Sequence, residues 1–78
     1  MRWTRTAAKE LANSLDQGAA AKTEAAVSGD AFAADPANSP WDRSMARQAA
    51  VILRGQARDM RADADAIRDG VNPAELGY

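Results

Sequence analysis

Apolar positions recur at helical spacing in two long stretches, separated by a polar segment that carries a proline. From about residue 4 to residue 27, at a turn of about 100° per residue, Ala7, Ala8, Leu11, Ala12, Leu15, Gly18, Ala19, Ala25 and Ala26 share one broad face. Asn13, Gln17 and Glu24 lie opposite. Leu11 and Leu15 are the only large side chains on the apolar face, so the first helix is soft. Gly18 costs about 1 kcal/mol relative to alanine in a helix interior, which points to a neighbouring helix that comes close there. Lys22 falls within the same face, where its stem can lie along an interface while its amine reaches water.

Residues 28–39, SGDAFAADPANS, combine Gly, two Asp, Pro, Asn and Ser and are expected to form a loop. Phe32 is expected to tuck beneath it and plug that end of the molecule. The second helix announces both of its ends. Ser39, Pro40 and Asp42 supply an N-cap, a first-turn proline and an acid three residues on. Arg68-Asp69-Gly70-Val71 places glycine where a left-handed stop belongs, with an apolar residue after it. A helix over about 40–69 follows, roughly 45 Å long. In the tail 70–78, Asn72-Pro73 repeats a start signal, and Leu76 and Tyr78 are expected to fold back over the end.

Around the second helix, Trp41, Met45, Ala46, Ala49, Ile52, Leu53, Ala57, Met60, Ala64 and Ile67 occupy an apolar arc somewhat under half the circumference. Arg43, Arg47, Arg54, Arg58, Arg61 and Arg68, every base in the segment, fall within about 80° of one another, with Ala50 among them. Any amphipathic helix puts charges on its wet face, but segregation by sign is not forced. Three explanations compete: a solvated face with local pairs such as Arg61–Asp65, an acidic protein partner, or a phosphate backbone. The first helix could also supply Glu10, Asp16 or Glu24 to these arginines.

Composition narrows the function. Of the hydrophobic residues, 20 are alanine and only 16 are larger, so the core is thin for 78 residues. The chain lacks both Cys and His, which removes Ser–His and Cys–His nucleophile pairs and the ordinary zinc, haem and iron–sulfur ligand sets. The acids Asp63, Asp65 and Asp69 resemble a calcium loop only at first glance, because Ile67 and Arg68 stand where that loop needs an oxygen ligand and a glycine. No enzyme and no cofactor are expected. The formal charge of −1 and the acids beside the arginines weigh against nucleic acid and against a membrane surface. The start, Met1-Arg2-Trp3-Thr4-Arg5, has no following apolar run of signal-peptide type, and a cytoplasmic location is expected.

The expected fold is all-α: one domain over 1–78, an antiparallel helical hairpin. Leu11, Leu15, Trp41, Met45, Ile52, Leu53, Met60 and Ile67 are the candidates for helix packing or an oligomer interface. Large apolar residues on the second helix outnumber what the first can cover, so self-association or a protein partner is expected to complete the core. The six arginines are candidate partner-binding residues. The expected function is a small structural or adaptor subunit, such as an accessory part of a larger complex or phage particle, with a nucleic-acid-associated protein as the alternative. On this view Ile52→Asp disrupts folding and assembly together, whereas Arg54→Glu leaves the helix intact.

Overall fold

The computed structural model describes residues 2–78; Met1 lies outside them. Two helices, α1 (Arg5–Ala34) and α2 (Pro40–Arg68), pack against each other as an antiparallel hairpin, and a short 3₁₀ helix (Pro73–Leu76) follows. The molecule is a rod of 52 × 18 × 16 Å.

Each boundary has a local cause. Thr4 caps α1 by accepting the Ala7 N–H at 3.0 Å. The helix does not stop at residue 27. It runs on through Ser28–Ala34, so the expected twelve-residue loop shrinks to residues 35–39. Pro36 ends it, because proline disfavours helical backbone in the residue before it, and Asp35 is extended. The Asp35 carboxylate accepts the Ala37 N–H at 2.9 Å, and the Asn38 amide donates to the Phe32 carbonyl at 3.0 Å. Phe32 is therefore a helical residue and half exposed rather than a plug.

The second helix follows its sequence signals. Ser39 accepts the Asp42 N–H at 3.1 Å, and Pro40 opens the first turn. At the far end Gly70 adopts φ +106°. The Val71 N–H reaches the Ala66 carbonyl at 3.0 Å and the Gly70 N–H reaches Ile67 at 3.1 Å, the paired bonds of a Schellman stop. The tail then folds back. Pro73 is fully buried, Leu76 packs on the cluster of Ala12, Leu15, Ala64 and Ile67, and the Tyr78 hydroxyl donates to Asp63 at 2.7 Å. That hydrogen bond holds the Tyr78 phenol above its ordinary pKa.

The core is built from alanine. Ala12, Ala19, Ala26 and Ala33 on α1 and Ala50, Ala57 and Ala64 on α2 are buried, joined by Leu15 and Ile67. Both alanine sets repeat every seven residues, the spacing at which one side of a helix keeps facing a supercoiled partner. Such small side chains let the backbones approach closely. At Gly29 a β-carbon would lie 3.2 Å from the Ala46 carbonyl oxygen, which is why glycine is tolerated inside α1. At Gly18 the space is taken by the Met60 methyl.

This seam moves the inward face of α2 away from the arc of large residues. Ala50, expected among the arginines, is buried. Leu11, Leu53 and Met60 are half-buried at the seam's edge, whereas Trp41, Met45 and Ile52 are exposed. Ile52 is accordingly no part of the hairpin core. Replacing a seam alanine by a larger residue forces the helices apart. Ala57→Leu is expected to lower the unfolding free energy by about 1–3 kcal/mol in urea titrations, while Ala62→Leu, at an exposed position, changes it by under about 0.5 kcal/mol. Equal stability of the two variants would contradict the seam.

Candidate interaction surfaces

The arginine sector of α2 is a second seam, running beside the alanines. Arg54 pairs with Asp30 at 2.5 Å. The Arg61 guanidinium donates to the Thr23 hydroxyl at 3.1 Å, and that hydroxyl donates back to the Ala19 carbonyl at 3.0 Å. Arg68 pairs with Asp16 at 2.7 Å and donates to the Asn13 side-chain oxygen at 3.0 Å. Each step of seven along α2 is matched by a step of seven back along α1, so these rungs share the register of the alanines. Arg43 closes the row at the loop by donating to the Ala33 carbonyl at 2.7 Å, where a cation complements the C-terminal end of α1.

Four of the six arginines are thus engaged across the hairpin. Of the acids offered by α1, Asp16 takes part and Asp30 joins it, while Glu10 and Glu24 form no ion pair among the described residues. The sign segregation on α2 has its explanation here, because a row of bases faces a row of acceptors on the neighbouring helix. The pairs are roughly half exposed, so each adds little stability. Their larger effect is on register, since an alanine seam slides at small steric cost. Hydrogen bonding to Asp30 raises the Arg54 pKa further. Arg47 and Arg58 are exposed, and among the described residues the one ion pair of Arg58 is an exposed contact of 3.7 Å with Asp59.

The second surface is apolar. Trp41 is 73% exposed, Ile52 60% and Met45 47%. At about 100° per residue these three fall within about 60° of one another on the outer side of α2, with exposed Ala49 at their edge. On α1, Phe32 is 45% exposed in the same half of the rod, near the connection. Farther along this side of α2 come Gln56, which accepts from Lys22 at 2.8 Å, and then Asp59 and Asp63. The face thus changes from apolar near the connection to polar near the open end. The sequence pointed to these residues through their arc, as candidates for helix packing or an oligomer interface.

Among the described residues, no group of three or more His, Cys, Asp or Glu is placed to hold a metal ion, and no helix is long and apolar enough to cross a membrane. Compared with protein-family models, with curated proteins and with solved structures, the chain matches none.

Arg54→Glu sets a like charge against Asp30 and is expected to lower the melting temperature, whereas Arg47→Glu leaves it nearly unchanged. Adding Asp30→Arg to Arg54→Glu restores the pair in reverse and recovers most of the loss at low ionic strength. Thermal melts of the four proteins check this, and a double variant no more stable than Arg54→Glu alone would exclude the pairing.

Proposed function

We propose that this chain is a small non-enzymatic interaction module, a structural or adaptor subunit that binds a protein surface through helix packing. The observation that supports it is the exposure of Trp41, Met45 and Ile52 together on one side of α2, with Phe32 nearby. Scattered surface apolar residues are ordinary, but large apolar side chains concentrated on one face mark contact surfaces. Trp and Met are among the residues enriched at the centres of such contacts. The hairpin gains little from leaving them in water, and its own alanine core is small. The occupant is a second copy of this chain or another protein of the same compartment.

The nucleic-acid alternative has weaker support. Arg43, Arg54, Arg61 and Arg68 already bond within the hairpin, which leaves Arg47 and Arg58 as the bases of the stripe with no bond across the hairpin among the described residues. Two phosphate contacts are few against a formal charge of −1.

Ile52→Asp separates binding from folding, because Ile52 lies outside the core. The variant is expected to keep its helical circular dichroism and melting temperature while losing association. Light scattering across a dilution series checks self-association. For a monomeric wild type, retention of partners from the host on wild-type and Ile52→Asp baits checks a foreign partner. A monomeric wild type that retains nothing more than the Ile52→Asp bait would exclude the proposal.

A further inference from the structure

The open end of the hairpin, far from the apolar face, carries a different kind of surface. A half-open cleft of about 680 Å³ lies between the start of α1 and the end of α2 with its tail. Trp3, Arg5 and Lys9 line it on one side and Arg68 on the other, with half-buried Ala8 and Val71 as apolar lining above the buried Ile67 and Pro73. None of the described residues lining it is acidic. Its size falls within the roughly 300–1,000 Å³ of small-molecule sites, which combine apolar walls with a few convergent polar groups.

The charge in this cleft is not all spoken for. Arg68 is committed to Asp16 and Asn13. Arg5 and Lys9 are exposed and form no ion pair among the described residues. Along the sequence, Arg2, Arg5 and Lys9 all precede the first acid, Glu10. The two helices differ here. The first turn of α2 holds Asp42 and its last turn Arg68, the favourable order for a helix dipole, whereas the first turn of α1 holds no acid. Trp3 is half-buried and lines the same cleft as these two cations.

We propose that this cleft binds a small anion carried on a flat apolar ring, the ring lying against Trp3, Ala8 and Val71 and the anionic group meeting Arg5 and Lys9. Guanidinium forks onto phosphate and carboxylate alike, so a nucleoside monophosphate and an aromatic carboxylate share the required chemistry. The proposal is independent of the protein-binding face, which lies toward the other end of the rod.

The two indole N–H signals of the whole protein provide the test, assigned with a Trp41→Phe spectrum. Four probes are titrated: a nucleoside monophosphate, an aromatic carboxylate, inorganic phosphate and the uncharged nucleoside. The Trp3 signal is expected to shift and saturate with one or both aromatic anions at up to millimolar concentration, while Trp41 stays fixed. Which anion saturates names the source. Inorganic phosphate and the nucleoside alone are expected to bind at least about tenfold more weakly. Arg5→Gln with Lys9→Gln is expected to weaken binding by at least about tenfold, with each single substitution giving part of that loss and helicity retained. The proposal is overturned by no saturable Trp3 shift with either aromatic anion, by inorganic phosphate binding as well as they do, or by unchanged binding in the Gln variants.

Discussion

Close approach of two alanine-lined helices is the constraint on which the rest of this molecule depends. Among the described residues, the buried hydrophobic side chains besides Pro73 are seven alanines, Leu15 and Ile67, and each alanine removes little surface from water. What they contribute is shape, because a methyl group at every seventh position leaves a flat strip along which another such strip can lie. Close packing then recovers dispersion energy along the whole rod. Gly29, set against the Ala46 carbonyl, belongs to the same arrangement.

Two consequences follow from a seam of small residues. First, large apolar side chains have no room inside it, so Leu11, Leu53 and Met60 sit at its edge and Trp41, Met45 and Ile52 lie outside. Only near the open end, where Leu15, Ile67 and Leu76 meet, does the core resemble an ordinary apolar cluster. Second, a uniform strip specifies register poorly, and the polar row of Arg54–Asp30, Arg61–Thr23 and Arg68–Asp16 supplies what the methyl groups lack. Weak surface pairs are of small account for stability, yet they discriminate between registers, because a slip by one helical turn removes all three at once.

The all-helical hairpin was legible from the sequence, and so were both ends of α2, because Ser39-Pro40 and Gly70 act through their own backbone geometry. The end of α1 was not. Gly29 and Asp30 break helices on propensity, but here the glycine is held where the helices touch and the aspartate pairs with Arg54, so tertiary contacts override local preference. Ala57, Ala64 and Ile67 of the expected arc do face inward, but weighting side chains by size set the centre of that arc too far toward Trp41, Met45 and Ile52 and left Ala50 outside it. The signal that identifies the inward face is the strict seven-residue spacing at Ala12, Ala19, Ala26, Ala33 and at Ala50, Ala57, Ala64. The arginine sector was visible as a stripe, but its acceptors Asn13, Thr23 and Asp30 were not, since they become neighbours only once the register is fixed. The cleft at the open end joins Trp3 to residues some sixty positions away, and no local pattern marks it.

The alanine methyl groups test the seam most directly. A soluble paramagnetic agent relaxes methyl signals according to their access to solvent. The account predicts strong protection of Ala12, Ala19, Ala26, Ala33, Ala50, Ala57 and Ala64 at every protein concentration, with Ala62 and other outward alanines fully relaxed. Ala50, Ala57 and Ala64 relaxing as fast as Ala62, with Ile52 protected even at high dilution, would contradict it and return α2 to packing through its large residues.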